Sequence, residues 1–281
     1  MLTISHILKA LAPAAQYQIM QDLEIACGCV DSRCASEKGL FVALKGENTD
    51  GHQFVDQAFA NGAVLALTDH AIESKFPVID LTQESFELPK SAPFSLQTPD
   101  ALLALQTLAK YWRQQHNLVV IGITGSVGKS STKELTASVL GSQMKTLKNQ
   151  GNMNNEIGLP LTLLSLTKEY KAAVLEMGFY VAGEIKLLCD IAQPQIGIVT
   201  NIGTVHAERA GSIEAIARGK AELVESLPAS PEGLAILNYD DPFVKDMAGL
   251  TRARVFYYGL NPEADLWADE EIGRGAGRGR G

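Results

Sequence analysis

The stretch Val119-Val120-Ile121-Gly122-Ile123-Thr124-Gly125-Ser126-Val127-Gly128-Lys129-Ser130-Ser131 decides the fold. A β-branched apolar run meets a glycine-bearing loop, and the loop opens onto a helical pattern. This is the layout of a phosphate-cradling loop. With no side chains at Gly125 and Gly128, the backbone N–H groups from Thr124 to Ser131 can close around phosphate oxygens. The helix behind offers its positive end to the same anion. Lys129 supplies a point charge, and Ser130 a hydroxyl able to ligate Mg²⁺. The standard spacing, G-x-x-x-x-G-K-[ST], would put glycine at 123, where this chain has Ile123; the loop reads Gly125-x-x-Gly128-Lys129-Ser130 instead. A tight strand-to-helix turn with an exposed lysine is the plainer reading. The strand–loop–helix context favours the phosphate loop.

Outward from this stretch the pattern alternates β and α. Strands are predicted at 118–124, 172–177, 195–201 and 234–238, and helices at 130–140, 183–192 and 212–227. Such alternation gives an α/β fold with a mostly parallel sheet wrapped by helices. Residues 1–97 mix shorter elements: a strand at Leu40–Leu44, a helix at Phe54–Ala60 and a strand at Val64–Thr68. Pro89, Pro93 and Pro99 punctuate the exit and suggest a linker. Thr98-Pro99 then reads as a helix start, with Pro99 at the first helical position and Leu102, Leu105, Leu108, Ala109 and Trp112 forming the apolar face. The predicted domains are 1–97, 98–270 and a Gly/Arg tail at 271–281 that cannot form a core. The tail reads as a scar or frameshift, with an RNA-binding tail as the other reading.

Composition sets the outer limits. The chain has 281 residues, 46% of them hydrophobic, enough for two cores. A net charge of −8 argues against an extended nucleic-acid surface. No apolar run is long enough to span a bilayer, and the N-terminus lacks a charged n-region and cleavage pattern. The four cysteines, Cys27, Cys29, Cys34 and Cys189, read as free thiols of a reducing cytosol, with Cys27-x-Cys29 open as a soft-metal pair.

In open α/β sheets, ligands bind beyond the carboxyl ends of the strands. Two other predicted strands end in useful chemistry at that edge: one in Glu176, the other in a loop carrying His206. Both are candidate Mg²⁺ ligands. In the helix 212–227, Lys220 falls on the apolar stripe of Ile213, Ala217, Val224 and Leu227. Its stem can lie on apolar surface while the amine reaches water. Alternatively it is desolvated, with a lowered pKa. A neutral amine can add to CO₂, and the carbamate would be an anionic oxygen ligand for a hard metal. The segment Gln150–Pro160, with Asn154 and Asn155, can hydrogen-bond a nucleotide or simply make Asn turns. Asn238, closing a strand, could read an adenine edge.

Together these residues resemble the Mur ligase family over positions 1 to about 270. The form Thr124-Gly125-x-x-Gly128-Lys129-Ser130 is similar to that family's own version of the loop. Ser131-Thr132-Lys133-Glu134 and Asn154-Asn155-Glu156-Ile157-Gly158-Leu159-Pro160 look most like the branch that adds D-alanyl-D-alanine. The resemblance implies that Thr124, Gly125, Ser126, Val127, Gly128, Lys129, Ser130, Ser131, Asn155 and Asn238 bind ATP. It implies Ser130, Glu176, His206 and a carbamylated Lys220 as Mg²⁺ ligands, and Lys129, His206 and Lys220 as catalytic residues. The string Asp31-Ser32-Arg33 and Gly39–His52 resembles the part that holds the UDP moiety, which implies Ser32, Arg33, Lys45, Asn48, Thr49 and His52 as substrate contacts.

The implied activity is ATP-dependent amide ligation in peptidoglycan precursor synthesis. A UDP-N-acetylmuramoyl-tripeptide carboxylate becomes an acyl phosphate, which the amine of D-alanyl-D-alanine attacks. A monomeric cytoplasmic enzyme, without nucleic-acid or membrane partners, is implied. The family also has a third, C-terminal domain beyond the region matched here, and the expectation is a truncated chain that binds substrate without turning over. The competing readings are a non-catalytic UDP- or nucleotide-binding fragment, another Mur-type or folylpolyglutamate-synthase-like ligase, and a small-molecule kinase.

Overall fold

The computed structural model describes residues 1–19, 21–203 and 212–268. The chain forms two compact units: Met1–His116 with Pro160–Lys168, and Asn117–Leu159 with the described residues from Glu169 onward. The α/β class with mostly parallel sheets is borne out in both. Among the described residues no helix is long and apolar enough to cross a membrane.

The first unit carries α1 (Ile4–Leu11) and is built on β1 (Cys27–Cys29), β2 (Gly39–Val42), β3 (Ala63–Thr68), β4 (Val78–Asp80) and β5 (Phe94–Gln97). The strand order is β1-β2-β3-β5-β4, all pairs parallel. Between β2 and β3 runs α2 (Val55–Ala60). Phe41, Ala43, Val55, Ala58, Phe59, Ala63 and Ala66 form a buried core under it. The helix α3 (Ala101–Gln114) belongs to this unit, and Trp112 Nε1 donates to Leu166 O at 3.1 Å in its interior. Its start differs from the sequence expectation. Asp100 is the N-cap, accepting from Leu103 N at 2.8 Å. Thr98 instead extends β5, its N and Oγ1 both donating to Thr68 O at 2.8 and 3.2 Å. An ionised cap with the right reach takes the position from a threonine already spent on the sheet.

The second unit contains β6 (Val119–Thr124), α4 (Lys129–Gly141), β7 (Thr146–Lys148), β8 (Ala172–Glu176), α5 (Glu184–Ala192), β9 (Ile196–Val199), α6 (Ile213–Glu225), β10 (Leu234–Asn238), α7 (Pro242–Asp246), β11 (Arg254–Gly259) and β12 (Leu266–Trp267). Its strand order is β7-β8-β6-β9-β10-β11-β12, every pair parallel. The expected strands are all present. The structure adds β7 at one edge and β11 and β12 at the other.

The register positions the site. Ile123 lies beside Glu176, and Thr124 beside Val199. The chain therefore leaves β6, β8 and β9 at one edge. With β8 on one side of β6 and β9 on the other, the end of β6 is a topological switch point, where such sheets bind ligands.

Candidate active site

The loop between β6 and α4 is shaped by two glycines for different reasons. Gly125 has φ +144°, and a Cβ there would fall 1.9 Å from Thr200 Oγ1. Gly128 has φ +86° and open space around it; it is needed for conformation alone. Gly128 is also the N-cap of α4, with no side-chain cap. The first-turn N–H groups are thus uncapped and available to an anion.

The loop is braced by the chain leaving β9. Ser126 N donates to Asn201 O at 2.8 Å, and Val127 N to Asn201 Oδ1 at 2.9 Å. Thr200 Oγ1 donates to Val127 O at 2.7 Å, and Asn201 Nδ2 to the same oxygen at 3.0 Å. Gly203 N donates to Ser126 Oγ at 2.8 Å, and Thr124 Oγ1 to Met177 O at 3.1 Å. These bonds fix the loop before any ligand arrives.

Two lysines converge on one carbonyl. Lys129 Nζ donates to Gly125 O at 2.8 Å and to Ser126 O at 3.2 Å. Lys220 Nζ donates to the same Gly125 O at 3.0 Å. Burial lowers the pKa of Lys129, while Glu176 opposes the shift. Lys220, 3% exposed, is pushed down to about 7, first by burial and then by the charge of Lys129. Of the two readings of Lys220, the structure selects the desolvated one. Ile216, Gly219, Lys220, Ala221, Leu223 and Val224 form the buried face of α6. The Phe179 ring lies beneath, its centroid 5.1 Å from Lys220 Nζ.

Gly219 lets that ring in. A Cβ there would fall 1.9 Å from Phe179 Cε2. Gly219→Ala is therefore expected to destabilise the chain by about 1–3 kcal/mol through overpacking, outweighing the helix-propensity gain. A urea unfolding midpoint equal to the parent's would refute this.

Glu176, 4% exposed at the end of β8, is the acid of the site. Its Oε2 accepts from Ser130 Oγ at 2.8 Å, and its Oε1 from Asn154 Nδ2 at 2.9 Å. Lys133 Nζ lies 3.8 Å from Oε2 and donates to Asn149 O at 3.0 Å. Asn149, fully buried, accepts from Glu176 N and donates to Glu176 O, fixing the backbone that presents the carboxylate. Lys133 and Asn149 were missed as site residues. Lys133 is one helical turn from Lys129, a signal that was available; Asn149 follows β7, a strand the sequence pattern did not show.

The other expected nucleotide contacts have these places in the fold. Asn155 Oδ1 accepts from Gly158 N at 2.9 Å and caps its own turn, so the contact with Glu176 belongs to Asn154. Asn238 Nδ2 donates to Thr200 O at 2.9 Å, and its Oδ1 accepts from Asp240 N at 3.0 Å, tying β10 to the end of β9. Ser131 is exposed on α4. His206 lies outside the described residues, as does the Gly/Arg tail.

In the first unit, Ser32 is buried and donates to Gln57 Oε1 at 3.0 Å. Arg33 is exposed and paired with Asp31, whose carboxyl is held down at about 2 by hydrogen bonds from Arg33. Lys45, Asn48 and Thr49 are exposed on a tight hairpin, closed by Gly46 N to Thr49 O at 2.9 Å. His52 points inward, bonded to Asp50.

Residues 123–279 match the Mur ligase middle domain, and residues 24–113 match the Mur ligase family, catalytic domain. The chain is 40% identical over 243 residues to the UDP-N-acetylmuramoyl-tripeptide--D-alanyl-D-alanine ligase of Synechocystis sp., covering 86% of this chain and 50% of that protein. Its structure is similar to that of MurF from Acinetobacter baumannii, with a TM-score of 0.79 and 32% identity, covering 95% of this chain and 55% of the other. It is also similar to MurF from Thermotoga maritima in complex with ADP, with a TM-score of 0.73 and 29% identity over 89% of this chain and 54% of that one. The chain spans about half the length of the curated relatives it matches. With a glycine loop at the end of β6, a buried acid beside it and the middle-domain match over more than half its length, this chain belongs to the Mur ligase family.

Proposed function

We propose that the chain supplies the nucleotide and UDP-substrate regions of an ATP-dependent cytoplasmic ligase that joins D-alanyl-D-alanine to a UDP-N-acetylmuramoyl-tripeptide in peptidoglycan precursor synthesis. One observation carries the reading: buried Glu176 is bonded to Ser130 Oγ at the mouth of a braced glycine loop that ends in Lys129. The relatives' names support the choice of substrates. In this reading the second unit, Asn117–Leu159 with the described residues from Glu169 onward, handles ATP. Residues 1–97 hold the UDP moiety, with Lys45, Asn48 and Thr49 on the exposed hairpin and Ser32 and Arg33 near the end of β1.

The N–H groups at the uncapped start of α4, with Ser126 N and Val127 N held to Asn201 as the brace, hold phosphate oxygens. Lys129, released from the loop carbonyls, follows the phosphoryl group as the peptide carboxylate takes it from ATP. The products of that step are an acyl phosphate and ADP. The D-alanyl-D-alanine amine then attacks the acyl carbon, loses its proton and expels phosphate through a tetrahedral intermediate. The hard oxygen donors Ser130 and Glu176 fit Mg²⁺, and the metal's charge would neutralise phosphate oxygens there. Lys220, with its pKa near 7, is substantially neutral at physiological pH. Its amine can add to CO₂ with loss of a proton. The resulting carbamate would replace repulsion of Lys129 with attraction and, with His206, offer oxygen and nitrogen ligands to a second Mg²⁺.

Calorimetry on the 281-residue chain tests the binding half. Saturable binding of UDP-N-acetylmuramoyl-tripeptide and of ATP with Mg²⁺ is expected, and the absence of either overturns the corresponding assignment. The ligation half is read on a chain of the relatives' full length. Phosphate release should require ATP, the UDP-linked peptide and D-alanyl-D-alanine together; release independent of the dipeptide would refute the proposed reaction.

A further inference from the structure

Two segments of the first unit meet at His52. One is the turn Gly51–Phe54, entered from the Lys45–Asp50 hairpin; the other is Asp69-His70, immediately past β3. The imidazoles of His52 and His70 lie against one another, their planes tilted by 37° and their centroids 3.7 Å apart, between two carboxylates. On one side, Asp50 Oδ1 is 2.7 Å from His52 Nδ1, and Asp50 Oδ2 is 3.6 Å from His70 Nε2. On the other, Asp69 Oδ1 is 3.1 Å from His52 Nε2 and 2.9 Å from His70 Nδ1. The His52 side chain is 3% exposed, while Asp50 and His70, at 25% and 48%, reach water.

We propose that Asp50, His52 and His70 form a binding site for a divalent transition-metal ion of the Zn²⁺ class, with Asp69 orienting both imidazoles from behind. One ligand atom from each of the three residues can be chosen so that all lie within 4.8 Å of one another. Two imidazoles and one carboxylate are a nitrogen-rich donor set that suits Zn²⁺ and its neighbours better than Mg²⁺, whose ligands are mostly oxygen.

The proton positions fit the assignment. His70 Nδ1–H donates to Asp69, which leaves the Nε2 lone pair on the Asp50 side. His52 Nε2 accepts from Asp69 N at 3.1 Å, so its proton sits on Nδ1 and is donated to Asp50. On ligation this proton moves to Nε2, which gives up its bond from Asp69 N and donates to Asp69 Oδ1, 3.1 Å away, and Nδ1 becomes the ligand. A carboxylate behind a ligating histidine is the usual supporting arrangement, and here one carboxylate serves two rings. The half-exposed His70 turns to open the pair of rings around the ion, and water completes the shell from the solvent side. A hydrogen-bond network alone accounts for His52, which ties Asp50 to the Asp69 backbone. His70 Nε2, 3.6 Å from Asp50 Oδ2, is beyond hydrogen-bond length and is the atom that a bound ion would bring to Asp50.

The site adjoins the hairpin proposed to hold the UDP moiety and uses His52, but its test does not use ligation. The 281-residue chain is titrated with Zn²⁺ by calorimetry in excess Mg²⁺, and with Co²⁺ by visible absorption. Binding of one equivalent is expected, with d–d bands of an imidazole–carboxylate site. His70→Ala, a surface change checked for folding by circular dichroism, should weaken Zn²⁺ at least about tenfold. Asp69→Ala, which removes no ligand, should raise Kd by about 10–100-fold. No binding, binding unchanged in His70→Ala, or the intense near-ultraviolet band of cobalt thiolate from Cys27, Cys29 or Cys34 would each overturn the assignment.

Discussion

A Lys220→Met chain is expected to be more stable than its parent at pH 7 in CO₂-depleted buffer, and the same substitution in a chain of the relatives' length to be inactive as a ligase. The stability half follows from linkage. Burial and the Lys129 charge bring the Lys220 pKa to about 7 from the ordinary 10.5. Between those values the unfolded chain holds this proton and the folded chain releases it, so stability rises with pH through the window. At pH 7 the cost to the fold is on the order of 4 kcal/mol; by pH 10 it is below about 1. Methionine removes the cost and fills the space, but forfeits the bond to Gly125 O. The net gain should be a few kcal/mol at pH 7 and shrink toward zero at pH 10. Urea unfolding at the two pH values reads it, and a gain independent of pH would count against the lowered pKa. The activity half rests on the carbamate. Lys220→Ala should be equally inactive but partly rescued by acetate, a carboxylate small enough for the vacated space. Full activity in either variant would exclude the proposed role.

Lys129→Ala in a full-length chain should lose about two or more orders of magnitude in turnover, the usual cost of removing a preorganised charge at the reacting group. The structure explains why no neighbour can substitute. Lys220 faces the same carbonyl but is near-neutral and buried, and Lys133 is anchored to Asn149 O and Glu176. The substitution should also raise the Lys220 pKa, because the Lys129 charge is one cause of its depression. The pH dependence of Lys220 acetylation, followed by mass spectrometry, should therefore move upward in Lys129→Ala. Turnover within a few-fold of the parent would sink the assignment of Lys129.

The central fold was legible because β6, β8 and β9 are continuous apolar runs and the glycine loop punctuates one of them. Such runs are hydrophobic on both faces and announce a buried parallel sheet. β7 is three residues long and flanked by polar ones, too short for periodicity. β11 and β12 lie at the sheet edge, where a mixed sequence such as Arg254-Val255-Phe256-Tyr257-Tyr258-Gly259 is only partly buried. In the site, the loop, Glu176 and Lys220 could be read because strand ends and a helical stripe locate them. Asn154 and Asn155 could not be told apart, since which amide turns inward depends on a tight turn closed by Gly158. The inward orientation of His52 depends on Asp69 and His70, brought from the far end of a different strand.

The bracing of the glycine loop has a consequence for how portable it is. The hydrogen bonds that hold Ser126 and Val127 come from Thr200, Asn201 and Gly203, more than seventy positions later in the chain. During synthesis the full motif leaves the ribosome long before the residues that shape it. A nascent chain ending short of Thr200 has every glycine and the lysine, yet lacks the bonds to Ser126 and Val127 that brace the loop. In the proposed reading ATP cannot then act as an early folding template, and nucleotide affinity is acquired only once β9 and the residues after it are in place. For the same reason, grafting residues 119–131 onto another strand–helix junction would transfer the sequence signature without the anion site.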